Sequence, residues 1–105
     1  MQNDVAVVVA GGRLDAAGAP EIEAGCKGLI QKGAKRLLLD MAAVEYISSA
    51  GLRSLLVLAK AVKAVGGTMI LCCLTPAVRE VMTISGFDNI LSLAADRAAA
   101  MALLK

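Results

Sequence analysis

The chain has 105 residues, a net charge of +2, an apolar content of 58% and an aromatic content of only 2%. That length makes one domain with one core, burying about 65% of the surface its unfolded chain exposes. Charge this modest and scattered, with Lys35-Arg36 the only adjacent basic pair and few aromatics for base stacking, argues against direct nucleic-acid binding.

Val5-Ala6-Val7-Val8-Val9-Ala10 is β-branched and nearly continuous, which predicts a buried strand ended by Gly11-Gly12. The same run is too short for a signal peptide, and Met1-Gln2-Asn3-Asp4 supplies no basic region before it. No segment is long enough to cross a bilayer, so no membrane insertion is expected and the expected setting is cytoplasmic. Arg13-Leu14-Asp15 leads into a loop. Pro20 suits the first turn of a helix through Lys32, with Ile22, Cys26, Leu29 and Ile30 inward and Gly33 as its stop. Gly25 and Gly28 each cost that helix ~1 kcal/mol relative to alanine, for which close packing against a sheet is one reason.

Leu37 to Met41 reads as a second strand, and Ala42 to Ile47 as a connector. A second helix runs to Ala64. Its inward stripe is Leu52, Leu55, Leu56, Ala59 and Val62, and its outward side carries Ser49, Arg53, Val57 and Lys60. Gly66-Gly67 stops it. Thr68 to Leu74 is a third strand, and Thr75-Pro76 caps a short helix that Gly86 closes, with Val78, Val81 and Met82 inward. Ile90 to Leu93 is a fourth strand, and Ala94 to Leu104 a last helix with Met101 and Leu104 inward. Strands alternating with helices throughout predict an α/β domain with a mainly parallel or mixed sheet. Sites in such sheets gather beyond the carboxyl ends of the strands, so Asp15, Asp40 and Ser48-Ser49 are expected to cluster at one end.

Little conventional chemistry is available. There is no histidine, so Ser-His-Asp catalysis is excluded, and Ser49 does not sit in a GxSxG elbow. Lys60 and Lys63 lie too far along their helix to activate it. Gly11-Gly12 lacks the spacing of a phosphate-binding loop and reads as a turn. Asp40 after a strand suggests a phosphorylated aspartate, but the acid pair that would hold Mg²⁺ is missing, since Asp15 stands alone. Capping of loop amides is the plainer role for both aspartates. Cys72 and Cys73, adjacent in a predicted strand, point to opposite faces and make a poor metal pair. With Cys26 they read as buried reduced thiols, a redox sensor being the alternative. No metal site and no cofactor are expected, and no catalytic residue.

What remains is Ser48-Ser49, at the start of the second helix. One of them should cap it, and a phosphate on serine would meet unpaired amides there. Such a modification leaves the fold intact and changes the surface a partner meets.

The run Leu39-Asp40-Met41 … Tyr46-Ile47-Ser48-Ser49-Ala50-Gly51-Leu52-Arg53-Ser54-Leu55-Leu56 closely resembles the core signature of STAS domains, most of all the stand-alone bacterial anti-sigma factor antagonists. Gly12-Arg13-Leu14-Asp15, Val65-Gly66-Gly67, Thr75-Pro76-Ala77-Val78 and Ser85-Gly86-Phe87 extend the likeness over nearly the whole chain. The resemblance implies a four- to five-stranded mixed sheet flanked by about four helices. It implies partner switching: the unphosphorylated protein binds an anti-sigma factor that is itself a serine kinase and so frees a sigma factor. Phosphorylation ends the complex and a serine phosphatase resets it. By position Ser49 is the phospho-acceptor, with Ser48 second. Asp15, Asp40, Ser48, Ser49, Gly51, Arg53, Val57 and Lys60 would form the partner surface. Relatives often carry aspartate where this chain has Ser48, which makes the site less acidic. They also often have a short strand before Val5, which is expected to be absent or reduced here. The family's other role, as a soluble subunit of a transporter or a multi-protein sensory assembly, is the alternative.

Overall fold

In the computed structural model, which describes residues 5–104, strands and helices alternate. They are β1 (Val5–Leu14), α1 (Ala19–Gln31), β2 (Arg36–Ile47), α2 (Ser49–Ala64), β3 (Thr68–Cys72), α3 (Pro76–Ser85), a 3-10 turn (Phe87–Asn89), β4 (Ser92–Ala94) and α4 (Arg97–Leu103). The sheet order is β1-β2-β3-β4 and every pair is parallel. The mixed sheet of four to five strands is therefore corrected to four parallel strands among the described residues. Each connection runs through a helix that returns the chain to the same end of the sheet, and a strand entering there pairs parallel. The stretch before Val5, where the family's extra strand is expected to be absent or reduced, falls outside the described residues.

Alternation along β2 divides the core. Leu37, Leu39 and Met41 face α1, α2 and α3, where they pack with Cys26, Leu55, Leu58 and Met82. Leu38, with Ile70 and Cys72, faces the other way against Ala100 and Leu104 of α4. Leu37, Leu38 and Leu39 are all fully buried, which is why that stretch is apolar without interruption. On α2 the inward stripe includes Leu58, fully buried, while Leu56 is only half-buried.

Neither Gly11-Gly12 nor Ala42 to Ile47 ends a strand. Past Asp40, β2 continues beside β1 alone to Ile47. Val9 opposes Asp40 but Gly11 opposes Ala43, and Gly12 opposes Val44 but Arg13 opposes Tyr46. At each step β2 holds one residue more than β1, so it bulges twice. The buried side chains Met41, Val44 and Ile47 then recur at every third position, which hides the alternation of a strand. Gly12, with φ +72°, sits in β1 where the register shifts and tolerates a backbone that other residues resist.

Element ends also moved. β3 stops at Cys72 instead of Leu74, because Cys73 turns into the left-handed region at φ 63°. The 3-10 turn takes up part of the stretch before β4, which shifts to Ser92–Ala94. Asp96 caps α4 by accepting the Ala99 amide at 2.8 Å, so that helix starts at Arg97.

Gly25 and Gly28 are not explained by close packing: a Cβ at either position meets nothing within 4 Å. Gly25→Ala is therefore expected to stabilise the domain by about 0.5–1 kcal/mol, read from the urea unfolding midpoint.

Candidate functional site

Ser48 leaves β2 in an extended conformation, φ -103° and ψ 177°, and caps α2. Its amide donates to the Leu14 carbonyl at 2.9 Å. Its hydroxyl donates to the same carbonyl at 3.4 Å and accepts the Gly51 amide, also at 3.4 Å. One residue thus ties the end of β1, the end of β2 and the start of α2. Gly51 lies against the same carbonyl: a Cβ there would overlap the Leu14 oxygen and come within 2.8 Å of Ile47 Cγ1.

Ser49 is the first residue of α2 and is exposed, whereas Ser48 is half-buried. Arg53 and Lys60 follow on the same stripe, both exposed, with Val57 half-buried between them. The first turn of α2 holds no acid. Its unpaired amides, together with Arg53 one turn on, make this a surface that favours a negative group.

Asp15, next to Leu14, organises the β1–α1 loop. Its Oδ1 accepts the amides of Ala17 and Gly18, each at 3.0 Å, and its Oδ2 accepts Arg13 Nε at 3.2 Å. The Arg13 guanidinium also lies over the Tyr46 ring, 4.3 Å from its centroid. Arg13 and Tyr46 are exposed neighbours across the β1–β2 pair. The residue pattern marks neither as a site residue, because their stacking depends on a cross-strand register set by the second bulge.

Asp40 departs from this group. It precedes the bulged part of β2 and shares the α4 face with Leu38, the face opposite α2. Asp40 is 8% exposed; its Oδ1 accepts the Ala42 amide of the first bulge at 2.9 Å, and its Oδ2 accepts Arg97 Nε at 2.7 Å. The structure thus brings Asp15, Ser48, Ser49 and Gly51 together at the carboxyl end of the β1–β2 pair and leaves Asp40 on the far face. Cys72 and Cys73 do not point apart. Because Cys73 leaves the strand, their sulfurs lie 3.6 Å apart, and burial together with Cys73 pushes the Cys72 thiol up to about 12.

Both aspartates are held below the usual carboxylate range. The Gly18 amide is the main cause at Asp15, followed by Arg13; at Asp40 it is the Ala42 amide, followed by Arg97. A carboxylate with a lowered folded-state pKa contributes stability that is complete above its unfolded value and is lost as pH falls through the folded one. The domain is therefore expected to lose stability progressively below about pH 4. In Asp40→Asn the loss on the acid side should be shallower, and stability at neutral pH lower by about 1–2 kcal/mol. Urea midpoints measured across that range check both; an acid limb unchanged in the variant would mean that the Asp40 contacts add nothing.

Residues 1–100 match the STAS domain family model. A Bordetella bronchiseptica protein named "Putative anti-sigma factor antagonist BtrV" is 45% identical over 94 residues, covering 90% of this chain and 81% of that protein. The crystal structure of a Thermotoga maritima protein, described as "a putative anti-sigma factor antagonist", has a TM-score of 0.92 at 21% identity, over 99% of this chain and 90% of that one. The structure of the anti-sigma factor antagonist SpoIIAA in its unphosphorylated form has a TM-score of 0.78 at 25% identity, over 94% of this chain and 87% of that one. With the family model matched over almost its whole length and a close relative matched over most of it, this chain belongs to the STAS domain family.

Proposed function

We propose that this chain is an anti-sigma factor antagonist that works as a cytoplasmic partner switch, a regulatory binding module rather than an enzyme. In its unphosphorylated form it binds an anti-sigma factor that is also a serine kinase, which frees a sigma factor. Phosphorylation of Ser49 ends that complex, and a serine phosphatase restores it.

The observation that carries this reading is the exposed Ser49 at the first position of α2, in a chain with a 45% identical relative named "Putative anti-sigma factor antagonist BtrV". Ser48 supports it from beside: its hydroxyl is engaged between Leu14 and Gly51, which leaves Ser49 as the serine with a free outward face. The docking surface is the outward stripe of Ser49, Arg53, Val57 and Lys60, flanked by the Asp15 loop and the Arg13–Tyr46 pair. A phosphate in that contact must be desolvated by the partner, and it pairs instead with the helix amides and Arg53. No described helix is long and apolar enough to cross a membrane.

Incubation with the cognate kinase and ATP, followed by mass spectrometry of the tryptic peptides, is the test. Phosphate on Ser49 is expected, with none in Ser49→Ala. Pull-down that returns a transporter complex, and no kinase-like ATPase, would favour the alternative assembly role.

A further inference from the structure

The face opposite Ser49 carries a second cluster, away from the outward stripe of α2. The Asp40 carboxylate and the sulfurs of Cys72 and Cys73 all lie within 4.8 Å of one another. Cys72 is fully buried, Asp40 nearly so, and Cys73 half-buried at the rim.

We infer that Asp40, Cys72 and Cys73 form a binding site for a thiophilic divalent cation of the zinc or cadmium kind. Spacing is the first argument. Zinc–thiolate bonds of about 2.3 Å in a tetrahedral site put two sulfurs about 3.7–3.8 Å apart. The two sulfurs here stand 3.6 Å apart before any ion is bound. Adjacent residues in a regular strand do not achieve this, since their side chains alternate across the sheet. The left-handed backbone of Cys73, the only non-glycine residue with positive φ among the described residues, is what brings the second sulfur round.

Ligand chemistry is the second argument. Two sulfurs and one carboxylate oxygen suit a soft or borderline ion and not Mg²⁺ or Ca²⁺, which want oxygen ligands throughout. Three protein donors leave a fourth position for water at the half-buried rim. Arg97 and the Ala42 amide each use one lone pair of an Asp40 oxygen, so the carboxylate keeps capacity to bind and is held in place by them. Two thiolates and a carboxylate against one guanidinium leave a net charge that a divalent cation cancels, which matters where one thiolate is fully buried. Disulfide closure is less well prepared: it needs an oxidant and a contraction from 3.6 Å to about 2.05 Å within one dipeptide.

Binding exchanges two thiol protons for one ion, and the protons go to solvent. The test is titration of the whole chain with CdCl₂ under a non-thiol reductant. The expected result is an ultraviolet cadmium–thiolate band that saturates at one ion per chain, about two protons released per ion, and no competition from millimolar Mg²⁺. Cys73→Ala should weaken binding at least about 100-fold and Asp40→Asn about 10-fold, in line with loss of a thiolate and of a weaker ligand. Cys26→Ala, on the other face of the sheet, should bind as the unaltered chain does. No thiolate band at equimolar cadmium, a band that persists in Cys73→Ala, or displacement by Mg²⁺ would each overturn the site. Folding of each variant is read in parallel by far-ultraviolet circular dichroism, and the proton count on the unaltered chain does not depend on any variant.

Discussion

Gly51→Ala is expected to destabilise this domain by about 3–4 kcal/mol, a large share of the stability of a domain this size. The added methyl has nowhere to go. It meets the Leu14 carbonyl oxygen and Ile47 Cγ1, so either the helix start or the end of β1 must retreat. Overpacking of this kind costs about 1–3 kcal/mol. Retreat also stretches the two hydrogen bonds that Ser48 makes to the Leu14 carbonyl, worth about 1 kcal/mol each. The urea midpoint checks it, and a loss below about 1 kcal/mol would show that α2 can slide without cost. The contrast with Gly25→Ala is informative, because the same substitution in α1 meets open space and should stabilise. Propensity governs one site and contact with backbone the other.

In the switch proposed above, phosphorylation of Ser49 is expected to weaken binding to the anti-sigma factor about 100-fold or more, equivalent to about 2.7 kcal/mol. Folding stability should change by less than about 0.5 kcal/mol, since Ser49 is exposed at a helix start that tolerates an anion. The two effects separate because the phosphate leaves the fold's contacts intact and alters only the surface offered to a partner. Ser49→Glu carries one charge and fewer oxygens than phosphoserine, so its effect should be smaller, about 10-fold. Ser49→Ala should bind normally and stay bound when ATP is added. Calorimetry with the purified anti-sigma factor gives the affinities, and a release assay with ATP gives the switch. Release from Ser49→Ala at the unaltered rate would remove Ser49 from the mechanism. Ser48→Ala should behave differently again. It deletes the cap, costs about 1 kcal/mol of stability, and leaves Ser49 in place.

Much of the fold is legible because local chemistry and global architecture agree. Leu37-Leu38-Leu39 is apolar on both sides because the strand is covered on both sides. Thr75-Pro76 marks the start of α3, and Thr75 does accept the Val78 amide, at 3.3 Å. Ser48 caps α2 for the same local reason, which is why the position of the exposed Ser49 and the stripe through Arg53 and Lys60 follow from residue order alone. The element order, the starts of α2 and α3 and the serine pair at the mouth of α2 are thus legible in the sequence itself, since each depends on interactions within a few residues.

Other features depend on partners far away in the chain, and only the tertiary structure decided them. The two bulges in β2 arise from pairing with β1, and they replace a period of two with a spacing of three, so Ala42 to Ile47 carries no strand signal of its own. Asp40 follows an apolar run just as an active-site acid would, yet strand parity and the position of α4 send it to Arg97 on the face away from Ser49. The need for glycine at position 51 rests on a carbonyl that belongs to Leu14. Cys72 and Cys73 alternate in any regular strand; a single left-handed residue at the end of β3 puts their sulfurs side by side. Neighbours in sequence specify their own caps and stripes, while register, face and close approach are settled only when distant segments meet.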